Sequence, residues 1–192
     1  MIVRPSADGL TASLSALPKR KGPPPVHLWN PPYCGEIDIR IARDGTWFHE
    51  GTPIGRQGLV NLFSSILKKE DDRYFLVTPV EKVGITVEDA PLLAVDFDVT
   101  DKGPDQVLTF QTKTEDVVQA GPENPIRVVR DAETGEPSPY VRVRGGLDAL
   151  IDRKSFYRLI ELGTHEETAE GRWFGLRSGG IFFPIIPSAD IT

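Results

Sequence analysis

The chain reads as an α+β protein of two roll-like, partly open barrel domains, each with one main helix and a mostly antiparallel sheet. Three observations predict this. One strand–turn–helix–strand unit is written twice. Glycine and proline are abundant, 18 and 17 of 192 residues, which favours short strands and turns over long helices. The 39% hydrophobic content supports folded cores of modest size.

The first copy of the unit runs Ile39-Arg40-Ile41, Asp44-Gly45, Ile54-Gly55-Arg56, Leu59-Val60-Asn61-Leu62-Phe63, then Arg73-Tyr74-Phe75. About a hundred residues later it returns as Val141-Arg142-Val143, Gly145-Gly146, Ile151-Asp152-Arg153, Phe156-Tyr157-Arg158-Leu159-Ile160, then Arg172-Trp173-Phe174. A duplicated unit suggests two similar modules with a groove between them. The division predicted is an N-terminal helix and proline-rich wrapping segment over 1–32, a first domain over 33–87 and a β-rich second domain over 88–192.

Ser6 is positioned to cap a short helix over 7–17, with Leu10, Leu14 and Leu17 in one apolar stripe. The proline-rich run 18–32 predicts an extended, polyproline-like strap. Trp29 is too apolar to leave loose in water, so the strap is expected to dock there. From Glu36, Ile37, Ile39 and Ile41 alternate with Asp38 and Arg40, a strand with one buried face. Asp44-Gly45 is a hairpin turn, and Trp47-Phe48 lies on the returning strand. Leu59, Leu62, Phe63, Ile66 and Leu67 give a helix ending in Lys68-Lys69, cations suited to a helix C-terminus.

Strands are expected at 73–77 and near 80–87. Segments 92–100 and 106–114 flank Asp101-Lys102-Gly103-Pro104-Asp105 and predict a hairpin. Short strands follow at 117–119 and 126–130. In the second copy Asp152 is the expected N-cap and Gly163 the residue past the helix end. An acidic loop then leads to a hairpin of 172–177 and 181–186 through Ser178-Gly179-Gly180.

The net charge of −6 argues against a sequence-independent nucleic-acid coat. One cysteine, Cys34, rules out an intrachain disulfide and a cysteine-rich zinc site. No apolar run is long enough to cross a membrane, and the N-terminus does not read as a signal peptide. The expected compartment is the cytoplasm.

Arg56 and Arg153 fall in the first turns of their helices, the wrong end for a cation, so each is expected to reach an anion. That anion is a ligand carboxylate or phosphate, or else a carboxylate on a neighbouring strand, with stacking on Tyr74 and Trp173 as a further structural alternative. Arg40 and Arg142 match on equivalent strands, Asp38 sharing a face with the first and Arg144 with the second. Trp47 and Trp173 read as core, and Trp29 as a groove lining. Catalytic signals are weak. Cys34 is expected to be a small packed residue, and His27, His49 and His165 are scattered. Glu36 and Asp38 share a strand face that could hold Mg²⁺, a pairing too common to be specific. No phosphate-binding, dinucleotide or nucleophile-elbow motif is present.

The run Trp29-Asn30-Pro31-Pro32, Cys34-Gly35, Ile37 to Ile41, Asp44-Gly45 and Trp47 resembles a bacterial family classed as a domain of unknown function. Pro53-Ile54, Arg56, Glu81-Lys82-Val83, Asn124-Pro125 and Gly180-Ile181-Phe182-Phe183 add to the likeness. The resemblance implies two α+β domains built on related units, the second loosely like a pleckstrin-homology barrel. It also implies a cleft between them as the binding site and a part in signalling. It brings no activity, cofactor or catalytic residue.

The expected function is therefore a non-enzymatic binding protein without a cofactor. Its ligand would be an anionic small molecule or an acidic peptide, held by Arg40, Arg56, Arg142, Arg144 and Arg153 with Trp29 for stacking. Two alternatives stand beside it. One is a metal-assisted hydrolase or transferase using Glu36 and Asp38. The other is a protein–protein adaptor using exposed strand edges around 92–114 and 181–186.

Overall fold

Ser6 caps the first helix of the computed structural model, which describes residues 4–192; its hydroxyl accepts from the Gly9 amide at 3.1 Å. This helix, α1 (Ala7–Ser15), buries Leu10 and Leu14 and ends short of Leu17. The chain divides into two units, Met1–Pro91 and Leu92–Thr192, so α1 and the proline-rich segment belong to the first. That segment is not wholly extended, because Val26–Leu28 forms a 3-10 turn just before Trp29.

The first unit carries one six-stranded sheet. Its strands are β1 (Tyr33–Ile41), β2 (Trp47–His49), β3 (Thr52–Pro53), β4 (Leu67–Glu70), β5 (Arg73–Val77) and β6 (Lys82–Val87). Their order is β3-β2-β1-β6-β5-β4, and β1–β6 is the parallel contact within it. Ile37, Ile39 and Ile41 point into the core as the alternation requires. Asp44 and Gly45 make the β1–β2 turn, with Gly45 at φ +81° and the Asp44 carboxylate accepting from the Thr46 amide at 2.9 Å. Helix α2 (Gln57–Ser65) buries Val60 and Phe63, and the Phe63 ring stacks on Trp47 with centroids 6.4 Å apart.

One expectation fails at the end of α2. The helix stops at Ser65, and Lys68 and Lys69 lie on β4, paired with Phe75 and Tyr74 of β5. Ile66 and Leu67 are buried either way, so periodicity alone could not place the boundary.

The second unit has a six-stranded and a three-stranded sheet. The larger contains β7 (Leu92–Thr100), β8 (Val107–Thr112), β9 (Val117–Gln119), β10 (Ile126–Arg130), β11 (Pro137–Arg144) and β12 (Leu147–Ile151), in the order β10-β11-β12-β7-β8-β9. Helix α3 (Arg153–Ile160) follows, capped by Asp152, whose carboxylate accepts from the Ser155 amide at 2.8 Å. The smaller sheet is the meander β13 (Thr164–Thr168), β14 (Gly171–Ser178) and β15 (Ile181–Pro187). The stretch before β14, expected as a loop, is thus a strand. Gly163 lies beyond the C-cap residue Glu161, and the Phe174 ring takes the space beside it that a Cβ would need.

Seen as topology, the duplication is a hairpin, a helix and a three-stranded meander. Elements β1, β2, α2, β4, β5 and β6 correspond in order to β11, β12, α3, β13, β14 and β15. The copies close differently. Strand β6 pairs with β1 and makes one sheet, whereas β12 pairs in parallel with β7, and β13–β15 stay a separate sheet. Both units are α+β and mostly antiparallel.

Within the second unit, polar contacts stitch the two sheets together. The buried Ser178 hydroxyl donates to the Ala120 carbonyl at 2.7 Å and accepts from the Leu108 amide at 2.8 Å. Gln106 Nε2 donates to the Arg177 carbonyl at 2.9 Å.

Candidate functional site

The first unit holds a groove of about 530 Å³, built by residues from 14 to 79. Leu14 at the end of α1 and Leu17 just beyond it form one wall. Pro24, Pro25, Leu28 and Trp29 from the strap form another, and Leu62 of α2 and Pro79 complete it. This volume lies within the range of about 300–1,000 Å³ usual for small-molecule sites. Two cations, Lys19 and Arg20, also line it. Both are exposed, and neither has a hydrogen bond or ion pair among the described residues. The strap is fastened from below: Lys68 Nζ donates to the Trp29 carbonyl at 3.1 Å and pairs with Glu70, which also holds Lys82 at 2.8 Å. These two ammonium groups, Lys82 first, keep the Glu70 carboxyl below the ordinary carboxylate range.

Of the predicted site residues, the groove contains Trp29 alone. The arginines are elsewhere, and most are occupied. Arg40 pairs with Glu88 and lies over the Phe48 ring, 4.2 Å from its centroid. Arg142 pairs with Asp148 at 2.5 Å, and Asp148 also takes Arg127 at 3.0 Å. Arg144 pairs with Asp116 at 2.9 Å. Arg153 reaches Glu136 only at 3.7 Å, with both side chains about three-quarters exposed. Arg56 has no partner among the described residues, and it is the N-cap of α2, whereas Arg153 is the first helical residue of α3. The two arginines are therefore not at equivalent helical positions.

The matched pair Arg40 and Arg142 shows how the copies diverged. Phe48 stands opposite Arg40 on β2, and Asp148 stands opposite Arg142 on β12. The first arginine stacks on its cross-strand neighbour and takes its carboxylate from beyond β6; the second finds the carboxylate directly opposite.

Glu36 is held by Arg73 at 2.5 Å and by the Tyr33 hydroxyl, and the Arg73 guanidinium lies 5.0 Å from the Phe75 centroid. Among the described residues no three His, Cys, Asp or Glu side chains stand together as metal ligands. Cys34 is exposed rather than packed, because it falls on the outward face of β1, in step with Glu36 and Asp38 and out of step with the buried Ile37 and Ile39. Trp47 is buried, and Trp173 is half-buried. Of the edges expected for an adaptor, β7 and β8 are interior, flanked by β12 and β9; β15 is an edge of its sheet. No helix among the described residues is long and apolar enough to cross a membrane.

Sequence reasoning missed Lys19, Arg20, Leu28, Leu62 and Pro79. The signal available was the Leu14–Leu17 stripe leading into a strap that ends in tryptophan. Leu62 and Pro79 join only through the fold.

The fold and groove define a two-unit α+β protein with a ligand-sized, largely apolar recess in its first unit. Residues 24–90 match the N-terminal domain, and 91–185 the C-terminal domain, of a protein of unknown function, DUF1285. A crystal structure of a DUF1285 family protein from Silicibacter pomeroyi DSS-3 is 62% identical, covers 97% of this chain and 99% of that one, and superposes with a TM-score of 0.87. Another, from Shewanella baltica OS155, is 31% identical over 65% of this chain and 91% of that one, with a TM-score of 0.51. Among curated proteins none matches. The chain belongs to the DUF1285 family.

Proposed function

We propose that this protein is a non-enzymatic binding protein for an anionic small molecule, and that the ligand sits in the groove of the first unit. One observation carries the reading. An apolar recess of ligand size opens beside Lys19 and Arg20, whose charges find no carboxylate among the described residues, in a chain of net charge −6. Of the arginines expected to hold the anion, Arg40, Arg142 and Arg144 already have acids of the protein. Cations at the mouth steer an anion in, and Trp29 supplies a broad contact face. A protein that holds such a ligand without transforming it reports its concentration, which fits a part in bacterial signalling. The pleckstrin-homology likeness of the second unit belongs to the same proposal and rests on the family resemblance alone.

The test is thermal unfolding against a panel of anionic metabolites, with Trp29→Ala and the double variant Lys19→Glu/Arg20→Glu beside the wild type. The expected result is stabilisation by one anionic class, about 2.7 kcal/mol at a hundred times Kd, lost in the double variant. No stabilisation by any anion, or one equal in all three proteins, removes the groove as the site.

A further inference from the structure

We infer that the ligand of this groove is a single-headed aliphatic amphiphile, a linear acyl chain ending in a carboxylate. The inference rests on the groove reading above and narrows it. The walls offer methyl and methylene groups from Leu14, Leu17, Leu28 and Leu62, the Trp29 ring and the strap prolines. They offer few groups for reading a polar ligand. Ser15, the hydroxyl in the lining, already donates to the Thr11 carbonyl at 2.8 Å. The Trp29 carbonyl accepts from Lys68, the Pro25 carbonyl from the Leu28 amide, and the Pro24 carbonyl from the Val26 amide. A nucleotide placed here would lose water from its sugar hydroxyls and base edges and gain few partners in return.

An alkyl chain has no such debt. Leu28 is 72% exposed while forming part of this wall, so an apolar guest covers a leucine that the fold leaves in water. The size agrees. A groove of about 530 Å³ lies well within the range of about 300–1,000 Å³ usual for small-molecule sites, room enough for an extended acyl chain with its head. Charge fixes the direction in which it lies. Both cations are neighbours in sequence, on the loop between α1 and the prolines, so they define one polar end. A carboxylate meets the Arg20 fork and the Lys19 ammonium there, and the chain runs toward Trp29 and Leu62.

Dissociation constants of the full chain are measured by tryptophan fluorescence and melting, below micelle-forming concentrations. The probes are octanoate, dodecanoate and hexadecanoate, with dodecanol, AMP, inorganic phosphate and phosphatidylglycerol vesicles beside them. Affinity is expected to rise about tenfold or more from octanoate to dodecanoate. Lys19→Glu/Arg20→Glu should weaken dodecanoate about tenfold and leave dodecanol unchanged, whereas Leu28→Asp should weaken both. All three positions are exposed, so the unliganded variants should melt with the wild type. Stabilisation by AMP or phosphate with none by dodecanoate, or an affinity independent of chain length, overturns the acyl assignment and leaves the anion-binding reading standing. Capture by vesicles without binding of monomeric dodecanoate also overturns it. No response to any probe overturns both.

Discussion

Glu36 and Gly84 stand opposite one another across the parallel β1–β6 pair, and the Glu36 carboxylate fills the space a side chain at position 84 would enter. The glycine lets Glu36 lie flat over the sheet, where Arg73 and Tyr33 hold it. A similar vacancy serves a different purpose at Gly175, where a Cβ would meet the backbone carbonyl of Phe183 on the neighbouring strand.

These two glycines should respond differently to one methyl group. The nearest atoms that Gly84→Ala meets are the flexible, exposed end of Glu36, so its cost should be no more than the exposed contacts Glu36 gives up to Arg73 and Tyr33, within about 1 kcal/mol. Gly175→Ala forces two paired strands apart and should cost about 1–3 kcal/mol. Urea unfolding of both variants decides this, and a larger loss at Gly84 would contradict it.

Ser178 joins the two sheets of the second unit through one hydroxyl. Ser178→Ala leaves the Ala120 carbonyl and the Leu108 amide without that partner in a buried setting. The expected loss is about 2–3 kcal/mol. Hydrogen exchange should quicken at the Leu108 amide before it does elsewhere in β8. An unchanged midpoint and unchanged exchange would show that the contact is not made in solution.

Lys68 fastens the strap to the sheet, so Lys68→Met should loosen it without unfolding the unit. The bond to the Trp29 carbonyl is worth about 1 kcal/mol, enough for tryptic cleavage after Lys19, Arg20 or Lys21 to rise several-fold. Glu70→Gln is the control, since it keeps that bond and removes only the carboxylate charge. Equal cleavage in wild type and Lys68→Met would rule the fastening out.

The acid limb of stability should carry the signature of Glu70. Lys82 and Lys68 lower its pKa in the folded state, so the unfolded chain binds more protons as the pH falls through the carboxylate range. The stabilisation is present above that range and is lost as the pH drops through the folded value. Melting temperature followed from neutral pH downward should fall less steeply in Glu70→Gln than in the wild type. Asp96, lowered by Arg158, and Asp131, lowered by the Thr134 and Glu133 amides, titrate in the same direction and set the slope that remains.

Much of the secondary structure was legible because its signals are local. Ser6 and Asp152 cap their helices through amides three residues away, and Gly45, Gly145, Gly146, Gly179 and Gly180 take the positive φ their turns need. The duplicated unit was legible for the same reason, as each copy repeats its own order of turn, cap and buried face. The site was far less legible. Arg40 meets Glu88 from 48 positions away, and Arg144 meets Asp116 from 28. No spacing rule announces such partners, so occupied arginines looked available for a ligand.

By itself, the sequence determined the α+β class, the helices and most strands of the repeated unit, though not β4 or β13, and the docking residue Trp29, because periodicity, capping and turn chemistry act within a few residues. The tertiary structure decided which strands closed each sheet. It set β6 beside β1 in one copy, and in the other it kept β13, β14 and β15 in a separate sheet while β12 went to β7. It also decided that Lys19 and Arg20 border an apolar recess while Arg40, Arg142 and Arg144 are neutralised. Pairing and burial join residues distant along the chain, and the choice among possible partners follows from how the whole unit packs.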